Sequence, residues 1–207
     1  MRTLSGLLLF CLCASFAASA QMRAVEQYSQ AGLLEMIRNN SYLAQVKRDR
    51  CQIVQDIQAN AMVLKQPVYQ FLWGEMLNHG VCVKRSVPEG MPLLVKAAEQ
   101  GLPEAMVKLA RYYRNGQLVI ADSDKAVRLA YPAAAHGNLE AQLLLGELYA
   151  EGHGSPRDYT QAYAWLHNAY YQSDFERQQA LRILARLSER MPASQIARAK
   201  KSAELAY

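Results

Sequence analysis

The chain has 207 residues, of which 51% are apolar and 20% charged, and a formal net charge of +5. That length leaves room for one or two ordinary domains or one short solenoid, and the modest positive balance suits solubility and acidic partners without calling for nucleic acid. Beyond the amino terminus no apolar run approaches the roughly 20 residues of a membrane-spanning helix, so no membrane span is expected.

Residues 1–20 read as a signal peptide. Met1-Arg2 is a positive start, Leu4 to Phe16 an apolar stretch, and Ala18-Ser19-Ala20 a cleavage site of small residues. The mature chain then begins at Gln21, outside the cytoplasm. Lipidation at Cys11 or Cys13 is the rival reading, but neither follows the small residues that such sites demand. Residues 21–66 hold N-terminal helices and half a repeat, with a first helix expected within 24–46 and a second from Cys51 to Lys65 carrying Ile53, Ile57 and Ala61. Asn39-Asn40-Ser41 fits either a glycosylation sequon or a helix boundary capped by Ser41. The mature chain keeps Cys51 and Cys82, and an even count in an oxidising compartment favours a disulfide. The two fall at the same end of neighbouring hairpins; a metal or catalytic thiol is the alternative, without a histidine or further cysteine at ligand spacing.

From Pro67 a period of 36 residues sets in and runs to residue 173 as three repeats. It links Tyr69, Ala105 and Ala141; Gly74, Ala110 and Gly146; Leu77, Tyr113 and Tyr149; and Gly80, Gly116 and Gly152. Ala105, Leu109 and Tyr113 recur four residues apart, as do Ala141, Leu145 and Tyr149, which marks one face of a first helix. Gly116 or Gly152 ends that helix, Asp122 or Asp158 caps the next, and Ala126, Leu129, Ala130, Ala133 and Ala134 form its apolar stripe. Small residues at Gly74, Ala110 and Gly146 let the two helices approach, and Gly101 and Gly137 turn the chain into the next unit. Phe175–Arg190 and Ala193–Ala206 match the repeat weakly, as capping helices over 174–207 should.

No set of residues nominates a catalytic centre, a metal or a cofactor. HExxH, GxSxG and CxxC are absent, and His79, His136, His153 and His167 are scattered. Gly152-His153-Gly154 follows a helix and lacks a lysine, so it reads as a repeat turn and not a phosphate loop. Glu75, Glu140, Glu147 and Glu151 read as solvated helix faces. Trp73 and Trp165 fit core packing better than an interface, whereas Tyr112, Arg114 and Tyr171 are the candidate surface residues for a partner.

The run Ala141, Leu145-Gly146, Tyr149, Gly152, Gly154, Asp158, Ala162, Trp165, Ala169 resembles the Sel1-like repeat family, relatives of the tetratricopeptide solenoids. The resemblance implies an all-α, right-handed solenoid of helix hairpins with degenerate terminal helices. Phe71, Trp73 and Cys82 depart from its small or glycine positions, so the first hairpin is expected to be specialised. The chain's size, leader, cysteine pair and the segment from Tyr69 to Cys82 are also similar to sodium-type polar flagellar motor proteins. That likeness implies a periplasmic scaffold in a ring around the flagellar basal body. It would bind a MotY-like ring protein and help anchor the stator through the periplasmic part of its B subunit. The alternatives are a generic periplasmic Sel1-repeat adaptor or a hydrolase of cell-wall or amide substrates. An enzyme needs polar groups converging in a pocket, whereas an adaptor shows a broad aromatic and charged strip.

Overall fold

The computed structural model describes residues 28–204, so the leader at 1–20 and the mature start at Gln21 lie outside the described residues. Those residues form eleven α-helices and no strand. Three short helices, α1 (Gln30–Arg38), α2 (Tyr42–Arg48) and α3 (Val54–Met62), precede three hairpins. The hairpins pair α4 (Pro67–His79) with α5 (Val87–Glu99), α6 (Pro103–Asn115) with α7 (Ser123–Ala135), and α8 (Leu139–Glu151) with α9 (Tyr159–His167). At the far end α10 (Asp174–Ser188) packs on α8 and α11 (Ala193–Glu204) on α9, which continues the stack.

The expected N-terminal helix over 24–46 is two helices. Asn40 adopts a left-handed φ of 55°, which asparagine tolerates, and the Asn39 side chain accepts from the Ser41 backbone N–H. Ser41 starts α2 without capping it through its side chain. The next helix starts at Val54 instead of Cys51, because Arg50 and Cys51 both hold positive φ (53° and 60°) and break the helical path. In the repeats, Pro67 and Pro103 open α4 and α6, where a missing N–H costs nothing. Asp122 caps α7 by accepting from the Lys125 backbone N–H. Asp158 does not cap α9; a 3-10 turn, Pro156–Asp158, stands before it, capped by Ser155.

The core consists of two apolar clusters that meet at α6. Ala105, Leu109 and Tyr112 join the N-terminal cluster, and Val107 and Ala110 the C-terminal one, while Met106 and Leu129 touch both. One helix buries both flanks because it has a hairpin on either side. In the first hairpin the α4 and α5 backbones come into direct contact. A Cβ on Gly74 would lie 2.8 Å from the Gly90 carbonyl oxygen and 2.3 Å from Leu94 Cδ1, and one on Gly90 would lie 2.6 Å from the Gly74 carbonyl oxygen. At Gly146 a Cβ would meet only side-chain methyls, Ile183 Cγ2 at 2.7 Å and Leu166 Cδ2 at 3.2 Å. Gly146 therefore faces both its hairpin partner and the next unit.

A disulfide joins Cys51 to Cys82 with Cα atoms 5.6 Å apart, tying the turn before α3 to the α4–α5 loop. Cys82 stands in the register of Leu118 and Gly154, and all three are left-handed, with φ of 61°, 64° and 75°. The loop shape is thus a property of the repeat, and only the third copy fills it with the residue that adopts it freely.

Two stability predictions follow from these contacts. Gly74→Ala sets a new methyl against backbone and is expected to lower stability by about 2 kcal/mol, whereas Gly146→Ala meets only side chains, the stiff Ile183 Cγ2 and the terminal Leu166 Cδ2, and is expected to cost about 1 kcal/mol. Urea unfolding with the disulfide intact measures the difference. Cys51→Ser with Cys82→Ser releases a loop of 31 residues and is expected to cost roughly 3–4 kcal/mol, read as a lower melting temperature that matches the reduced wild type.

Candidate functional site

Charge on the inner helices is organised in two ways, one buried and one open. The buried centre is Glu75 in α4, whose side chain has no solvent exposure. Its Oε2 accepts from the Tyr42 hydroxyl of α2 at 2.8 Å, and its Oε1 from the Tyr112 hydroxyl of α6 at 2.7 Å and from Asn78 Nδ2 at 3.3 Å. Lys108 Nζ lies 3.6 Å from Oε2 and sits over both tyrosine rings, 5.5 and 5.9 Å from their centroids. His79 Nε2 is 3.6 Å from the same oxygen, an ion-pair distance, and makes its hydrogen bond with Tyr112 at 2.9 Å. Burial opposes the charged form, but His79, the Lys108 charge and the Tyr112 and Tyr42 hydroxyls outweigh it and bring the Glu75 pKa down to about 2. Burial and the neighbouring Glu75 charge push both tyrosines up, which keeps their hydroxyls protonated as donors.

Two sequence-based expectations are corrected here. Glu75 is not on a solvated face. Tyr112 is not a surface anchor: it is 3% exposed and stands in the register of Met76 and Leu148, which are fully buried. The repeat places position 112 against the preceding hairpin, and Glu75 satisfies its hydroxyl.

The open part is a ladder of charged groups crossing successive inner helices. Arg38 of α1 donates to Glu104 of α6 at 2.8 Å, and Arg111 of α6 pairs with Glu140 of α8 at 2.9 Å. Arg114 of α6 bridges Glu147 and Glu151 of α8, and Gln179 of α10 donates to Glu147 at 3.4 Å. Arg114 is therefore engaged within the chain. The third candidate, Tyr171, is half-buried and donates its hydroxyl to the Leu166 carbonyl. Trp73 is buried, and Trp165 is half-buried with its ring edge-on to Tyr131 at 5.3 Å.

Beside the ladder runs a groove of about 1880 Å³, lined by α1, the starts of α6, α8 and α10, and the end of α9. Its rim carries Tyr170 and Phe175, exposed by 84% and 73%. Tyr170 lies at the end of the last repeat beside the expected anchor Tyr171, and Phe175 in the weakly matching segment that follows. Among the described residues no three His, Cys, Asp or Glu side chains come together as metal ligands would, and no helix is long and apolar enough to cross a membrane.

The buried centre sets a pH dependence. Glu75→Gln keeps the shape but leaves Lys108 without its counter-charge, and is expected to cost about 3 kcal/mol at neutral pH. The folded pKa of about 2 lies below the ordinary 4.5, so the contribution is complete above 4.5 and lost as the pH falls towards 2. Urea unfolding of parent and variant should show a stability gap that closes across that window.

The family model described as Sel1 repeat matches residues 67–102, 103–138 and 139–174. The chain is 40% identical over 205 residues to the sodium-type polar flagellar protein MotX of Vibrio parahaemolyticus, with 97% of each chain covered. Among solved structures, a Sel1 repeat protein from Oxalobacter formigenes superimposes with a TM-score of 0.55 at 27% identity, over 62% of this chain and 97% of that one. A protective antigen of uropathogenic Escherichia coli with an SLR fold gives a TM-score of 0.40 at 19% identity, over 87% of this chain and 46% of its own. The chain belongs to the Sel1-repeat family and, within it, to the family of the sodium-type polar flagellar protein MotX.

Proposed function

We propose that this chain is a periplasmic scaffold of the sodium-driven polar flagellar motor, a ring component around the basal body and not an enzyme. The observation that carries the reading is the 40% identity to a sodium-type polar flagellar protein along 97% of both chains. A likeness of that extent includes the terminal helices, which a shared repeat alone would not require. Its partners are a MotY-like ring protein and the periplasmic part of the stator B subunit. The leader read at residues 1–20 supports export to the compartment where those partners lie.

A stack of hairpins suits such a role physically. Each unit contacts only its neighbours, so the solenoid offers a long surface whose shape is held by local packing. The charge ladder from α1 to α10 uses pairs within the chain, which fixes the relative placement of the inner helices.

Deletion of the gene tests the proposal. The strain is expected to build filaments that do not rotate, with fluorescently tagged stators gone from the flagellated pole. Normal swimming with stators in place would falsify the motor assignment and leave a generic Sel1-repeat adaptor.

A further inference from the structure

We propose that the groove between α1 and α10 receives an extended, cationic segment of a partner protein, held by its unpaired carboxylates and by the exposed rings of Tyr170 and Phe175. The proposal rests on the scaffold reading and adds the chemistry of the segment bound. Three features of the groove ask for the same kind of group.

The first is charge. Although the whole chain carries +5, the groove is lined by the carboxylates of Glu35, Glu104, Glu140 and Glu176 against only two guanidiniums, Arg38 and Arg111. Both guanidiniums are already engaged, with Glu104 and Glu140. Glu176 accepts from the backbone N–H groups of Gln172 and Ser173, which leaves its charge in place, and neither it nor Glu35 has a cationic partner among the described residues. An acidic concavity on a basic protein concentrates positive partners and disfavours anionic ones.

The second is hydrogen bonding. Glu104 Oε2 and the amide oxygen of Gln142, both buried in the groove wall, are acceptors without a donor. A buried acceptor is normally satisfied; both atoms are closed to solvent, so a donor reaches them only as the Glu104 or Gln142 side chain turns toward the groove. The third is the pair of exposed rings on the rim. Large aromatic side chains standing free of the core are typical interface anchors, and their faces attract guanidinium and ammonium groups while packing on their aliphatic stems. Carboxylates, orphan acceptors and ring faces all select lysine or arginine. The groove also exceeds the roughly 300–1,000 Å³ of small-molecule sites, which fits a stretch of chain better than a metabolite. A neutral glycan could stack on the same rings and donate its hydroxyls to the carboxylates, but it would gain nothing from their net charge, so its binding would not fall with salt.

The test uses the purified mature protein and a fluorescein-labelled peptide of alternating arginine and alanine, followed by anisotropy. Binding is expected, with affinity falling as sodium chloride rises. Tyr170→Ala and Glu35→Lys should each weaken it about tenfold, while Val63→Ser, at an exposed site in the turn between α3 and α4, leaves it unchanged. Circular dichroism melts of the variants should match the parent, since all three side chains are exposed. Equal binding of a glutamate–alanine peptide, indifference to the groove variants, or binding of a chitin oligosaccharide with none of the arginine peptide would each overturn the proposal. The scaffold reading is scored separately by complementing the deletion strain. If the Tyr170→Ala, Glu35→Lys double variant restores full motility and the peptide ignores both substitutions, the groove is not the site while the scaffold role stands; if the deletion strain swims without any complement, the scaffold role itself fails.

Discussion

A carboxylate removed from water is the constraint around which the N-terminal half is arranged. Desolvating a charge costs several kcal/mol unless opposite charge and donors replace the lost water. Glu75 recovers that cost only by drawing on α2, α4 and α6 together, through Tyr42, Asn78, His79, Lys108 and Tyr112. A slip of any one helix along its axis would strand the charge. The network thus specifies the register between the N-terminal helices and the first two hairpins, where apolar packing alone tolerates several.

The same half of the molecule carries the other two fixed points. Gly74 and Gly90 bring the α4 and α5 backbones into contact, a distance at which no side chain intervenes. The Cys51–Cys82 bridge then ties the α4–α5 loop to the turn before α3. Cys82 holds a left-handed φ that the equivalent Gly154 adopts without penalty. In the first repeat a cross-link occupies the position where the third repeat has conformational ease. Beyond α6 the core is mainly leucine, alanine and tyrosine, with no buried ion pair comparable to Glu75 among the described residues, and the groove runs from this half across to α1.

The helical solenoid was legible in the sequence because a step of 36 residues repeats small and glycine positions without insertion. Glu75 was not. Its register reads Glu75, Arg111, Glu147, three charged residues in a row of repeats, and Arg111 is indeed half-exposed. The available signal was the bulk around it, Phe71 and Trp73 in the helix that departs most from the pattern. Tyr112 was misplaced for a geometric reason. A step of four residues advances about 40° beyond a full turn, so Tyr113 stands roughly 80° from Ala105, whereas seven residues return to within about 20°. Ala105, Leu109 and Tyr112 are therefore the true stripe, and Met76 and Leu148 mark it in the neighbouring repeats. The break at Asn39–Ser41 and the late start of α3 depend on residues at positive φ that no apolar period reveals.

The division between the two halves bears on how a scaffold can transmit load. A bridge, a buried charge network and a backbone-to-backbone contact all resist displacement over short distances, and all three lie within the N-terminal helices and the first two hairpins. Arg111–Glu140, exposed on both sides, contributes little stability, about 0–1 kcal/mol, whereas Arg38 reaches the buried Glu104; with Arg114 and Gln179 these contacts run across α1, α6, α8 and α10, so a force on one of these helices reaches the next through paired side chains. Tyr112 joins the two systems, since its ring belongs to the N-terminal core and its helix carries Arg111 and Arg114 of the ladder. A segment seated in the groove would lie against α1, α6, α8 and α10, and α6 itself carries Lys108 and Tyr112 of the buried network, so a pull on the segment would pass directly to the most firmly held part of the chain.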